Sequence, residues 1–182
     1  MKYGGVVFAR TVARINSVFM LHADTPLAAA DIARAAGVEY TPAVSALATL
    51  EKRGLALRTR RAGHDEFEPD KASVYYPMAH AAALVDLPLA EALRGQRVYG
   101  VYAYGSLAQP GGGSRTSDLD LFIVGDVKDR AGLITHLGAV GTRFNRVIDA
   151  FILSPEQFER AKAQQDPHVA SALAGVRIMG TL

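Results

Sequence analysis

Apolar residues recur at helical intervals over residues 6–22 (VVFARTVARINSVFMLH), with Arg10, Arg14 and Asn16 on the other side, and this spacing predicts a first helix. After the break at Asp24-Thr25-Pro26, residues 26–36 read as a short helix that stops at Gly37, a residue suited to a left-handed C-terminal cap. Thr41-Pro42 has the form of a third helix start, a capping hydroxyl followed by proline at the first helical position. Val44, Leu47 and Leu50 continue one apolar face until Gly54, while Ser45, Ala46, Ala48 and Thr49 are expected to point outward. Two strand-like runs, 55–61 and 73–78, flank the polar stretch AGHDEFEPDKA and read together as a hairpin.

Residues 79–94 (AHAAALVDLPLAEALR) are rich in alanine and leucine and predict a connecting helix interrupted at Pro88, with a domain boundary near Gly95. Beyond it the period changes. Strands are expected at 97–104, 119–124, 146–153 and 176–179, with helices at 129–140 and from Pro155 onward. The expected fold class is α+β, divided into an N-terminal domain (1–78), a connecting helix (79–95) and a small mixed-sheet domain (96–182).

Three helices followed by a hairpin form a winged helix-turn-helix. Through DIARAAGV, TPAVSALATLEKRGL and SVYYPM, residues 6–78 resemble the winged helix-turn-helix superfamily of bacterial regulators. That resemblance implies a reading helix near 41–53, with Thr41, Ser45 and Thr49 facing DNA and Lys52, Arg53, Arg58, Arg60 and Arg61 meeting phosphates. The outward positions of this helix are small or neutral, and Asp65, Glu66, Glu68 and Asp70 offset the arginines. DNA contact and a purely structural or dimerising role therefore stand as the two readings, the second implying a homodimer.

Composition narrows the chemistry. At 182 residues, with 49% hydrophobic and 21% charged residues, the chain has the makeup of an ordinary globular protein. It has no cysteine, which excludes disulfides, thiolate metal sites and a cysteine nucleophile. A net charge of +2 is far from the dense positive field of a protein that coats nucleic acid. Arginines interrupt the apolar N-terminus and no run reaches membrane-spanning length, so a cytoplasmic protein with no membrane partner is expected.

The informative segment is VYGVYAYGSLAQPGGGSRTSDLDLFIVGD. Two apart on a strand, Asp118 and Asp120 are expected to share one side, where two carboxylates raise each other's proton affinity unless a cation neutralises them. Hard oxygen ligands suit Mg²⁺, which commonly binds one or two carboxylates together with substrate phosphates. Gly105 lets the backbone approach a phosphate, the Ser106 hydroxyl can donate to it, and a helix expected just after this turn would add its N-terminal dipole. Asp149 lies in the apolar run VIDAFIL, where an isolated charge is costly unless satisfied. The histidines His22, His64, His80, His136 and His168 are scattered and receive no metal role.

An apolar strand, Gly-Ser, a loop of about a dozen residues and Ser117-Asp118-Leu119-Asp120 inside a second apolar strand resemble the polymerase-beta-type nucleotidyltransferases, specifically their minimal branch. The resemblance covers residues 98–153 and implies transfer of a nucleoside monophosphate from a nucleotide triphosphate to a protein or small-molecule hydroxyl, with two divalent ions held by three carboxylates. It implies Asp118, Asp120 and Asp149 as catalytic metal ligands for Mg²⁺, with Mn²⁺ as its substitute. Gly105 and Ser106 are the implied triphosphate contacts; Ser117 and Arg115 are further nucleotide-binding candidates in the loop, Arg115 as a replacement for the basic residue this family carries after Gly-Ser. Where this family continues with a small residue, a basic residue and glycine, the chain has Ala108-Gln109-Pro110. This departure supports a second expectation, a winged-helix transcriptional regulator whose C-terminal domain senses a nucleotide or has lost activity.

Overall fold

In the computed structural model, which describes residues 10–182 apart from Asp24, helix α1 (Arg10–Leu21) buries everything from Ile15 to Leu21. Residues 6–9 of the expected first helix lie outside the described residues. Asn16 does not face solvent as its polarity suggested; it is fully buried and its amide donates to the Ala79 carbonyl at 2.9 Å. Helices pack on α1 from several sides and cover Asn16 while Arg10 and Arg14 stay exposed; the Asn16 Nδ2 is satisfied, whereas its buried Oδ1 has no hydrogen-bond partner among the described residues.

Leu27 and Ala28 form a two-residue strand, β1, rather than the first turn of the next helix, α2 (Ala29–Ala36). Gly37 terminates α2 in the left-handed conformation (φ 59°, ψ 46°), as expected of its position. Helix α3 (Tyr40–Lys52) begins one residue before Thr41, with Glu39 at the cap position. Its inward face is Ala43, Ala46, Leu47 and Leu50, so Ala46 is buried and Val44 is 38% exposed, the reverse of the expectation for both. The small alanines at 43 and 46 let α3 approach α1 and α2 closely, which rotates the larger Val44 outward.

The hairpin pairs β2 (Ala56–Arg61) with β3 (His64–Pro69), closed by Ala62-Gly63, both at positive φ (47° and 87°). Residues 73–78 are not its second strand: they form a turn and the start of α4 (Tyr76–Val85), where Pro77 occupies the first turn. The polar run after Gly63 conceals a strand because only Phe67 of β3 is buried, leaving no apolar alternation to detect. The sheet order is β1-β3-β2, and α4 packs along α1.

Tertiary contacts divide the chain into Met1–Asp86 and Leu87–Leu182, which places α4 in the first unit and a short helix, α5 (Leu89–Ala92), in the second. The second unit has a four-stranded mixed sheet built from β4 (Arg97–Tyr104), β5 (Leu119–Asp126), β6 (Ile148–Leu153) and β7 (Val176–Gly180), in the order β6-β5-β4-β7. Helix α6 (Arg130–Thr142) is the crossover that makes β5 and β6 parallel; the other pairs are antiparallel. Helices α7 (Pro155–Ala163) and α8 (Pro167–Leu173) cover one face: Phe158, Val169 and Ala172 pack on Tyr102, Phe122 and Val124. Leu119, Leu121 and Ile123 point to the other face and are fully buried, so β5 is covered on both sides. The fold class is α+β, and no described helix is long and apolar enough to cross a membrane.

Candidate functional site

The chemistry gathers at one end of this second sheet, where β4 finishes and β5 and β6 begin. Tyr104 pairs with Asp120, and Asp120 with Asp149, so the three side chains form a row on the face that α7 and α8 cover further along. The cover stops short of this row. Asp120 is half-buried, Asp149 exposed, and Tyr104 packs against the edge of the aromatic cluster. Asp118 is also exposed and precedes the strand instead of lying inside it, because β5 pairing starts at Leu119, whose N–H donates to Val147.

The electrostatics single out Asp120. Its carboxyl is held above the ordinary aspartate range, first by burial, then by the charge of Asp149 and then by that of Asp118. Tyr104 is raised as well, by burial and then by Asp120 and Asp149. Negative charge is thus concentrated on one side of the sheet end. Among the described residues no three His, Asp or Glu side chains are gathered closely enough to ligate a single ion as they stand. The residues that could hold a divalent cation are Asp120 and Asp149, whose hard carboxylate oxygens stand on residues paired in register across adjacent strands, with Asp118 close by.

Gly105 sits beside this row at φ 73° and ψ −163°, a region essentially reserved for glycine, and a β-carbon there would run into Asp120 Oδ2. After it comes a single 3₁₀ turn, Ser106–Ala108, in place of the expected helix, so the N-terminal dipole expected just after Gly105-Ser106 is not supplied there. Pro110 and the glycines that follow end the turn. The Ser106 side chain is exposed at the start of the turn, and the glycine loop folds back on it: Gly112 approaches the Ser106 carbonyl too closely for any side chain.

The remaining predicted contacts lie in the loop before β5. Ser117 Oγ accepts the Ser114 N–H at 2.7 Å and lies 3.2 Å from Ser114 Oγ, which uses it as a brace within the loop; Arg115 is exposed there. Arg146 was not singled out from the sequence, yet its Nη1 donates to the carbonyls of both Ser117 (2.6 Å) and Ser114 (3.1 Å). The one sequence signal was a cation placed just ahead of the acid-bearing strand. A separate cleft of about 260 Å³ at the other end of β5, lined by Asp126, Lys128, Arg130 and Ser154, contains none of the predicted residues.

Compared with known proteins, the chain matches no family model, no curated protein and no solved structure.

In the first unit, Thr41, Ser45 and Lys52 are exposed on α3, and Thr49 is half-buried. Two of the hydroxyls turn back on their own helix: Ser45 donates to Thr41 O and Thr49 to Ser45 O. The hairpin arginines are occupied by facing acids. Arg58 is hydrogen-bonded to Asp65, Arg60 lies 3.8 Å from Asp65, and Arg61 lies 3.5 Å from Glu66. Asp65 is held below the ordinary range by Arg58, which is raised in turn. Lys52 and Arg53 are exposed at the end of α3.

Proposed function

We propose that the second unit is a minimal polymerase-beta-type nucleotidyltransferase domain, joined to a winged helix-turn-helix unit, which moves a nucleoside monophosphate from a nucleotide triphosphate onto a protein or small-molecule hydroxyl. The observation that carries this reading is the in-register pairing of Asp120 with Asp149 beside the side-chain-free Gly105. Asp120 and Asp149, with Asp118 next to them, would hold Mg²⁺ or Mn²⁺, which supplies charge neutralisation to the phosphates when bound. Gly105 keeps the approach to Asp120 open, and Ser106 offers a hydroxyl donor to the triphosphate. The acceptor oxygen forms its bond to the α-phosphorus as the bond to pyrophosphate breaks, and the acceptor proton passes to Asp149, the exposed member of the row. Tyr104 walls the half-buried side of Asp120 from water.

The test is incubation with labelled ATP, GTP, CTP and UTP, Mg²⁺ or Mn²⁺, and cell extract as acceptor. Wild-type protein is expected to transfer label from at least one nucleotide. Asp149→Asn is expected to cut transfer about a hundredfold or more while leaving nucleotide affinity within about threefold, under ~1 kcal/mol. Unimpaired transfer by that variant would remove Asp149 from the mechanism. Nucleotide binding without transfer by the wild type would assign the unit a sensing role in a transcriptional regulator.

For the first unit, the order of helices and hairpin supports the winged-helix reading, and the pairing of the hairpin arginines limits DNA contact. With phosphate contact limited in this way, log affinity against log salt is expected to have a shallow slope, between about −1 and −2, from about −0.9 per phosphate. Fluorescence anisotropy with duplex DNA over a salt series measures it. A slope steeper than about −4 would show that the arginines leave their acids to bind phosphate.

A further inference from the structure

We infer that Arg146 is a positioning residue that latches the loop before β5 and so sets where Asp118 stands relative to Asp120 and Asp149. The inference starts at the end of α6. Asn145 takes a left-handed conformation (φ 49°), and the Arg146 N–H donates to the Gly141 carbonyl at 3.1 Å, which closes the helix and turns the chain sharply toward β6. Gly141 permits this close passage, since a β-carbon there would strike the Arg146 carbonyl and press on Ile148.

The turn delivers the Arg146 guanidinium to the loop. One nitrogen, Nη1, bridges the carbonyls of Ser114 and Ser117, at 3.1 and 2.6 Å. Those two residues also brace each other: Ser117 N–H donates to Ser114 O at 3.2 Å, and Ser114 N–H to Ser117 Oγ at 2.7 Å. Two residues later the Leu119 N–H donates to Val147 O at 2.9 Å and the parallel ladder begins. Asp118 lies between these anchors, with Arg146 holding the residue before it and Val147 the residue after it. It sits outside the strand and is exposed, so no ladder bond of its own fixes it. A charged donor on carbonyls makes a stronger bond than a neutral one, which suits a latch on a glycine-rich loop.

The same arginine connects the two halves of the carboxylate group. It belongs to the segment that leads into Asp149 and grips the segment that carries Asp118, so the loop cannot shift without breaking its bonds to the start of β6. The role of Asp118 as a ligand rests on the nucleotidyl-transfer reading; the latch itself does not.

The test uses the full chain with Arg146→Met, which keeps an apolar stem and removes the donors, and Arg146→Lys, whose single nitrogen can again donate to two carbonyls. Amide hydrogen exchange at Ser114, Ser117 and Leu119 is expected to quicken about tenfold or more in the methionine variant, while Phe122 and Ile123 in the core of β5 stay protected. Mn²⁺–ATP affinity, read by electron paramagnetic resonance of the ion, is expected to fall about ten- to hundredfold, the usual cost of losing a residue that orients a metal ligand. Lysine should recover part of both losses, which a general loss of stability would not allow. Unchanged loop exchange in Arg146→Met overturns the latch. Faster loop exchange with wild-type Mn²⁺–ATP affinity overturns the positioning role, and a wild type that binds no metal–nucleotide at all overturns it together with the nucleotidyl-transfer reading.

Discussion

The Asp118→Asn, Asp120→Asn double variant is expected to lose Mg²⁺-dependent nucleotide binding by at least about a hundredfold, roughly 2.7 kcal/mol, while melting no lower than the wild type. Binding falls because two of the three carboxylates proposed to neutralise the ion are gone. Stability holds for a separate reason. Asp120 is half-buried and faces Asp149 in register, with Asp118 close by, and its proton affinity is raised by all three circumstances. A carboxyl whose folded-state pKa exceeds its unfolded value contributes fully to stability below the unfolded pKa, and that contribution is lost as pH rises through the folded value. Metal-free wild type should therefore lose stability relative to the double variant as pH rises from about 4, the unfolded aspartate range. Calorimetry of Mg²⁺–nucleotide binding and melting curves between acid and neutral pH measure both halves. Undiminished binding in the variant would defeat the metal assignment, and a variant that melts well below the wild type at neutral pH would show that Asp120 is structural.

Gly105→Ala is expected to damage the site and the fold together. The backbone at Gly105 has φ 73° and ψ −163°, where a residue with a β-carbon is strained by about 1–3 kcal/mol. The new methyl would also meet Asp120 Oδ2, so either the backbone moves or the carboxylate does. Both alternatives displace the group on which the proposed chemistry depends. Denaturant melts should show the strain, and nucleotide affinity should fall about tenfold or more, roughly 1.4 kcal/mol. Gly111→Ala is the control: it too has positive φ (74°), but a β-carbon there meets nothing within 4 Å. It should show a stability cost without the loss of binding. Equal behaviour of the two variants would mean that Gly105 matters only for its backbone angle.

Local pattern carried the reading furthest where structure is local. The helical spacing of α1, the stop at Gly37, the apolar runs that become β4 and β5, and the acids at 118, 120 and 149 follow from near neighbours in the chain. Periodicity failed where burial depends on what packs above a residue. Val44 and Ala46 exchanged sides because small alanines pack closer, Asn16 was buried by helices from distant sequence, and β3 hid in a polar run with only Phe67 turned inward. The hairpin closed at Ala62-Gly63, a turn signal weaker to the eye than the apolar residues at 73–78.

The sequence by itself determined which residue types were present for the proposed chemistry, and that Asp118 and Asp120 stand two residues apart. Tertiary structure decided the partnerships. Strand register is set by the hydrophobic packing of both faces of β5, and a slip of one residue would carry Asp149 to the opposite face, so no stretch of sequence near either acid encodes their pairing. The same holds for Arg146, whose grip on the Ser114–Ser117 carbonyls spans about thirty residues of chain and exists only once α6 has closed the crossover between β5 and β6. It holds too for the hairpin arginines: the sequence shows that acids offset them, but which acid meets which arginine is fixed only by the antiparallel register, which brings Asp65 to Arg58 and Glu66 to Arg61 across the turn.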